Sequence, residues 1–190
     1  MDSLPGALST HLSSVWRTQP RCITWTRTGT NQTIKIDVKA DNGDIRTYNI
    51  NATISRCTNN FGPYQHPEKL IPKVITNILN DKQIPVYGDG KQIRNWIYVD
   101  DHCRGILSIL EKGNKGEVYN IGSDTLIPNI DVIKEILNQL KKPDDLISYV
   151  TDRPGHDFAY HLNSNKIKKE TGWNESNTFE YYLQKTIEWY

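Results

Sequence analysis

This sequence has no long apolar run, no excess of charge of either sign and no paired cysteine motif. No apolar stretch approaches the ~20 residues that a membrane-spanning helix needs. The 23 Lys and Arg residues are balanced by 22 Asp and Glu residues, which excludes a general binder of nucleic acid. The 3 cysteines, Cys22, Cys57 and Cys103, have no C-x-x-C spacing. We therefore expect buried, inert thiols in a reducing, cytoplasmic compartment.

The chain also has no glycine-rich phosphate-binding turn of the G-x-G-x-x-G type. In dinucleotide-binding folds this turn follows a strand and opens a helix, so that the backbone can approach the pyrophosphate closely. No strand-like stretch of this sequence is followed by such a turn. The chain therefore encodes no recognisable cradle for a dinucleotide.

Residues 1–45 differ from the rest and are predicted to be an atypical leader that contains a candidate β-hairpin. Four apolar residues between positions 4 and 15 have helical spacing, which is typical of a weak transit peptide, although an unselected leader explains the composition equally well. Ile34, Ile36 and Val38 alternate with polar residues and precede Asn42-Gly43, a strong turn signal. This pattern predicts a hairpin over residues 33–50.

Residues 46–190 alternate short strands with amphipathic helices, which predicts an α/β fold. Strands are predicted near residues 53–57, 85–88, 96–99, 118–122 and 147–150, and helices near residues 70–79, 101–112, 132–140, 166–170 and from Phe179. Asp100 or Asp101 is expected to cap the second helix. This helix carries the apolar residues Ile106, Leu107 and Leu110, and Gly113 is expected to end it.

Several specific motifs follow one another in this α/β region. They lie at residues 46–49 (Arg-Thr-Tyr-Asn), 54–64 (Ile-Ser-Arg-Cys-Thr-Asn-Asn-Phe-Gly-Pro-Tyr), 67–72 (Pro-Glu-Lys-Leu-Ile-Pro), 85–96 (Pro-Val-Tyr-Gly-Asp-Gly-Lys-Gln-Ile-Arg-Asn-Trp), 98–102 (Tyr-Val-Asp-Asp-His), 119–122 (Tyr-Asn-Ile-Gly) and 152–157 (Asp-Arg-Pro-Gly-His-Asp). Together they resemble consecutive blocks of the dTDP-glucose 4,6-dehydratase family of extended short-chain dehydrogenases/reductases.

The resemblance implies a fold and a ligand. Residues 46–190 would form the remnant of a Rossmann-type parallel sheet plus the small C-terminal substrate-binding α/β domain. The ligand would be a nucleotide-diphospho-sugar of the dTDP-glucose type. The family consists of NAD-dependent lyases, so NAD is the cofactor that the resemblance implies for the family.

The resemblance also implies the residues that bind the substrate diphosphate. Arg94 and Arg153 would bind the diphosphate, and Lys69 and Leu70 would flank its phosphates. The chemistry is suitable, because two arginines on separate segments can each bind phosphate oxygens bidentately through charge-assisted hydrogen bonds. Without the resemblance, each arginine would be interpreted as a solvated or ion-paired surface group.

Five further contacts are implied by the resemblance. Asn59 would lie beside the glucosyl phosphate, Pro85 and Tyr87 on the base and sugar side, and Asn129 and His156 would complete the pocket. Each polar member has a structural interpretation as well. Asn59 can shape a turn, Asn129 can cap a helix, and His156 can hydrogen-bond within its own Pro-Gly turn.

The sequence departs from the family in its catalytic motifs. No Tyr-x-x-x-Lys pair precedes Arg46, and no Thr-Asp-Glu triplet occurs. The family chemistry needs a bound nicotinamide and a positioned acid and base, and we can assign none of these groups. We therefore predict a segment without the NAD-binding and catalytic half, with no catalytic or metal-ligating residue and no NAD binding of its own.

Three interpretations of such a segment remain open. It is a dehydratase-like fragment, inactive alone and active beside a separate chain that carries the Rossmann half. It is a non-enzymatic module that binds a nucleotide sugar or a protein partner, with the hairpin as a pairing edge that also permits self-association. Or it is a non-functional remnant.

The first prediction concerns turnover. The purified 190-residue chain, given dTDP-glucose and NAD, is expected to form no product, because the groups that would perform oxidation and elimination are not encoded in it. A time course that monitors the 4-keto-6-deoxy sugar nucleotide checks this. Accumulation of that product would contradict it.

Overall fold

The computed structural model describes residues 51–190 and, before them, the backbone of two strands. The strands are β1 (Ile23–Thr28), β2 (Gln32–Ile36), β3 (Ala52–Cys57), β4 (Asn59–Phe61), β5 (Ile84–Tyr87), β6 (Ile93–Tyr98), β7 (Val118–Ile121), β8 (Leu126–Pro128), β9 (Ile147–Val150) and β10 (Ala159–Tyr160). The helices are α1 (Leu70–Leu79), α2 (Val99–Lys112), α3 (Asn129–Gln139), α4 (Asn165–Thr171) and α5 (Phe179–Trp189), with a 3-10 turn at Asp144–Leu146. The predicted α/β class is confirmed.

Parallel strand pairs form the framework of the described region. β3 pairs in parallel with β7, with Ile54 opposite Val118, and β5 pairs in parallel with β9. β6 pairs in parallel with β4 and β10 and antiparallel with β8. Because parallel strands need crossover connections, helices separate the longer strands along the chain. The carboxyl ends of β5 and β9 therefore lie side by side, followed by two polar loops.

The hairpin in the N-terminal region differs from the predicted one. β2 overlaps the predicted first strand, but it pairs antiparallel with β1, which precedes it in the chain. β1 also pairs antiparallel with β3, so that the sheet has the order β2-β1-β3-β7. The predicted turn at Asn42-Gly43, the predicted return strand and the apolar positions between residues 4 and 15 lie outside the described residues.

Two clusters of buried side chains hold the elements together. The larger lies between α1, α3 and α5 and the strands β4, β5 and β6, with Ile75, Ile84 and Ile136 almost fully buried. The smaller joins β6, β7, α2 and α4 through residues such as Ile121 and Trp173. Burial of each such side chain contributes about 1.5–3 kcal/mol. The larger cluster lies directly beneath β5 and β6, which carry several of the predicted site residues.

The helix α2 packs on β7 through a glycine. Its buried residues are Asp101, Gly105 and Ile109. Ile106 is partly buried against the smaller core cluster, whereas Leu107 is 56% exposed. A Cβ atom on Gly105 would lie 2.9 Å from Ile121 Cγ2, so the glycine permits the close approach. Gly113 does follow the helix as its C-cap residue, as predicted.

The predicted capping role of Asp100 or Asp101 is wrong. The N-cap residue of α2 is Tyr98, and no side chain caps the helix. Asp101 is instead buried within the first turn, where the Tyr182 hydroxyl donates to its Oδ1 at 3.0 Å and the Ser176 amide to its Oδ2 at 3.1 Å. Arg104 forms an ion pair with the same carboxylate. Asp101 therefore connects α2 to α5 and to the segment before it.

The second prediction concerns this buried carboxylate. Asp101→Ala should lower the free energy of unfolding by about 2–4 kcal/mol, because it leaves buried donors without an acceptor. Asp100→Ala, at the exposed neighbouring position, is the matched control and should change it little. Urea denaturation of the three proteins checks this. Equal losses in the two variants would contradict the assigned role.

The third prediction concerns His102 on α2, whose pKa is lowered to about 4 by burial. The folded state therefore keeps this imidazole neutral at pH values where the unfolded chain, with a pKa near ~6.5, takes up a proton. Stability should fall as the pH is lowered from about 6.5 to about 4, by up to about 3 kcal/mol from this group. His102→Gln should remove that part of the pH dependence, while the exposed control His161→Gln should keep it.

Candidate functional site

A glycine turn after β5 places the first site residues. Gly88 and Gly90 both have positive φ, +59° and +73°. A Cβ atom on Gly90 would lie 2.8 Å from Val86 Cγ1 and 2.9 Å from Ile130 Cβ, so only glycine fits. The turn packs on the start of α3, since the Ile130 amide donates to the Gly90 carbonyl at 2.9 Å. It leaves Tyr87 45% exposed at the end of β5.

Arg94 on β6 has a buried guanidinium without a carboxylate partner. Its side chain donates to the main-chain oxygens of Ile93 and Asp157, both at 2.8 Å. Among the described residues, no acidic side chain forms an ion pair with it. Burial lowers the pKa of Arg94, the nearby Asp157 charge raises it, and the like charge of Arg153 lowers it. Arg94 therefore has one acidic and one basic neighbour that act on its charge in opposite directions.

The loop after β9 is organised by Asp152. His156 Nδ1 lies 2.7 Å from Asp152 Oδ1, the Arg153 amide donates to the same oxygen at 2.8 Å, and the Gln92 side chain donates to Oδ2 at 2.9 Å. The hydrogen bond with His156 is the main reason that the pKa of Asp152 is lowered. His156 thus does hydrogen-bond within its own loop. The exposed side chain of Arg153 remains available to a ligand.

Asn129 is the first residue of α3, and the predicted capping interpretation is wrong. The N-cap residue is Pro128, and no side chain caps this helix. The Asn129 amide donates to the Gln92 carbonyl at 3.0 Å. Its side-chain oxygen Oδ1 is buried without a hydrogen-bond partner among the described residues. A buried acceptor of this kind favours a ligand or a water molecule as its missing donor.

Three other predicted residues lie on the segment from β4 to α1. Asn59 begins β4 rather than a turn, opposite Trp96 of β6, and its Oδ1 is likewise buried without a partner in the described region. Lys69 is the exposed N-cap residue of α1, and Leu70 is partly buried against the larger core cluster. No hydrogen bond or ion pair within residues 51–190 joins Lys69 or Leu70 to the residues around Asp152.

The structure thus brings most of the predicted residues together in one cluster of strand ends and loops. Pro85, Tyr87, Arg94, Asn129, Arg153 and His156 come from β5, β6, the start of α3 and the loop after β9. Sequence reasoning missed Gln92 and Asp152, which hydrogen-bond to each other within this cluster. Both lie within the motifs, but their contact joins residues that are 60 positions apart. No local pattern predicts it.

A separate open groove, with a volume of about 680 Å³, lies beside the start of α5. It is less suited to an anion. Its cation Lys168 already forms an ion pair with Asp124 at 2.6 Å. The groove is also lined by Glu175, whose carboxyl pKa is raised by burial. The cluster around Arg94 is therefore the stronger candidate for phosphate binding.

Comparison with known proteins defines the class. The model of the NAD dependent epimerase/dehydratase family matches residues 44–122. A solved UDP-glucose 4-epimerase from Thermotoga maritima, with UDP-glucose, is 28% identical with a TM-score of 0.72, over 76% of this chain and 47% of that one. The described region thus has the fold of nucleotide-sugar epimerases and dehydratases.

Within this class, the chain is a partial segment similar to dTDP-glucose 4,6-dehydratase, and the resemblance seen in the motifs is confirmed. The Escherichia coli enzyme is 47% identical over 152 residues, which is 76% of this chain and 42% of that enzyme. The solved enzyme from Bacillus anthracis, in complex with NAD, is 46% identical with a TM-score of 0.76, over 78% of this chain and 47% of that one. The chain thus spans less than half the length of these relatives.

No strand-to-helix connection within residues 51–190 contains the G-x-G-x-x-G turn that cradles an NAD diphosphate. The turn with two positive-φ glycines, Gly88 and Gly90, leads into the strand β6 and not into a helix. The strand β6 runs directly into the helix α2. The residues at this junction are Tyr98 and Val99, whereas a dinucleotide-binding turn requires glycines there. We therefore derive no chemical step through NAD.

No helix among the described residues is long and apolar enough to cross a membrane.

Proposed function

We propose that residues 46–190 bind a nucleotide-diphospho-sugar of the dTDP-glucose type through its diphosphate. The observation that carries this proposal is the buried guanidinium of Arg94, which within residues 51–190 hydrogen-bonds only to carbonyl oxygens and lies near both the Asp157 carboxylate and the guanidinium of Arg153. Residues 1–45 are outside the proposed binding segment.

Arg94 has no direct carboxylate contact among the described residues, and a buried guanidinium without one is costly. The carboxylate of Asp157 acts on Arg94 only from nearby, and the like charge of Arg153 opposes its effect. A diphosphate supplies negative charge to both arginines, and its oxygens match the planar guanidinium fork. The carbonyl oxygens that hold Arg94 fix its orientation before a ligand arrives. The arrangement therefore favours an anionic ligand over an empty site.

The remaining residues suit the other parts of such a ligand. Tyr87, half-exposed beside Pro85, offers an apolar surface for a base. The unpaired oxygens of Asn59 and Asn129 can accept hydrogen bonds from sugar hydroxyls or from a base N–H. Lys69, with Leu70, adds a positive charge at the start of α1. We propose that these residues, with His156, surround the ligand.

The proposal is one of binding, and we assign no catalytic residue. The relatives from Escherichia coli and Bacillus anthracis are dehydratases, but this sequence contains neither Tyr-x-x-x-Lys before Arg46 nor Thr-Asp-Glu. We propose that dehydratase chemistry, if this chain takes part in it, uses an NAD-binding half supplied by another chain. The cysteine usage supports a cytoplasmic setting.

The fourth prediction tests the diphosphate assignment. Titration with dTDP in the absence of NAD should show binding, and Arg94→Ala or Arg153→Ala should weaken it by about 1.5–3 kcal/mol, the net value of a hydrogen bond to a charged group. Lys134→Ala, at an exposed position of α3, removes the same charge away from the site and serves as the control. Isothermal titration calorimetry measures all four proteins. An unchanged dissociation constant in both arginine variants would show that these arginines are structural.

A further inference from the structure

Gln92 is buried and forms hydrogen bonds with several segments of the proposed site. It is only 6% exposed, and its side-chain nitrogen donates to the Tyr87 carbonyl at 3.3 Å and to Asp152 Oδ2 at 2.9 Å. Both partners are acceptors, so the amide nitrogen must face them. Its main-chain oxygen accepts the Asn129 amide at 3.0 Å. One side chain and its own carbonyl thus contact three separate segments.

Each of these segments carries residues of the proposed site. Tyr87 ends β5, Asn129 begins α3, and Asp152 holds His156 and the Arg153 amide. The turn and the loop are also in close contact, because a Cβ atom on Gly88 would lie 3.2 Å from Asp152 Oδ2. Displacement of Gln92, which directly precedes β6, would therefore reach β6, the β5 turn, the start of α3 and the loop after β9.

The orientation of the Gln92 side chain costs free energy that an apolar side chain at this position would not cost. Its side-chain oxygen Oε1 is buried without a partner within the described part of the chain. A buried unpaired acceptor costs about 1–3 kcal/mol. An aliphatic residue of similar size would avoid that cost. The two hydrogen bonds of the amide nitrogen, one of them to a carboxylate, are what the glutamine supplies in return.

The geometry points to Gln92 as a positioning residue that, through Asp152, holds the Arg153 and His156 loop against the β5 turn before ligand binds. This inference rests on the proposed function and adds a residue that does not touch the diphosphate. The charged hydrogen bond fixes the loop, so less ordering remains to be done on binding. Loss of Gln92 should weaken binding without removing any ligand contact.

The first test needs no ligand. In Gln92→Leu, hydrogen exchange of the Gly88 and Arg153 amides should be at least about 10-fold faster than in the wild type, because the loop opens more often. Exchange at Ile75 in α1 should not change. Gln184→Leu, at an exposed position of α5, is the matched control and should leave all three amides as they are. Unchanged exchange at Gly88 and Arg153 in Gln92→Leu would overturn the inference, whatever the chain binds.

The second test measures dTDP binding by the same 190-residue proteins. Gln92→Leu should raise the dissociation constant about 10-fold or more, since a hydrogen bond to a charged group is lost. Gln184→Leu should not change it. If the wild type binds and Gln92→Leu binds equally well, the positioning role is wrong. If the wild type does not bind, the proposed function fails, and the exchange experiment still decides whether Gln92 orders the loop.

A rescue variant separates positioning from general destabilisation. Gln92→Glu places two carboxylates face to face and should bind more weakly than Gln92→Leu. Adding Asp152→Asn restores a donor and an acceptor between positions 92 and 152 with their places exchanged, while the Tyr87 carbonyl still lacks its donor. The double variant should therefore bind at least about 10-fold more tightly than Gln92→Glu alone, without reaching the affinity of the wild type. A purely structural defect at position 92 would not be relieved by a change at position 152, and absence of rescue would overturn the inference.

Discussion

The proposed site depends on the hydrogen bonds that hold the buried guanidinium of Arg94, which has no direct carboxylate partner among the described residues. Arg94 is held by two carbonyl oxygens and lies near a second arginine. Elsewhere in the described region, cations such as Lys168 and Lys142 have acidic partners. Arg94, by contrast, has no direct acidic contact in the described region, and the nearby charges of Asp157 and Arg153 act on it with opposite signs. An anion with oxygens in two directions satisfies it better than a water molecule does.

The fold supplies the rigidity that such a site requires. β5 and β9 are paired in parallel, so the turn with Tyr87 and the loop with Arg153 leave the same edge of the sheet. The larger core cluster lies beneath β5 and β6 and fixes their positions. Asp152 then joins the two loops through Gln92. Packing therefore determines where the segments end, and polar contacts determine how they face one another.

The sequence predicts the helices and longer strands because their patterns are local. Ile71, Val74, Ile75 and Ile78 recur at helical spacing, and all four are buried in α1. The strands of two or three residues, such as β8 and β10, have too few positions to show a period. The close packing of α2 at Gly105 depends on its distant neighbour Ile121, so no local pattern predicts it.

The site residues were predictable only through the resemblance. Nothing in the local pattern distinguishes Arg94 from a surface arginine, and its burial follows from β8 and β10 pairing on either side of β6. The Gln92–Asp152 contact follows from the pairing of β5 with β9 and from the glycine turn. Such contacts between residues distant in sequence are set by the fold as a whole.

A crystal structure of the 190-residue chain with dTDP tests the central claim most directly. The account predicts that the diphosphate lies between Arg94 and Arg153, with oxygens at hydrogen-bonding distance from both guanidinium groups, and with the Gln92–Asp152 contact preserved. Nucleotide bound instead in the groove beside α5, or a diphosphate that contacts neither arginine, would contradict it.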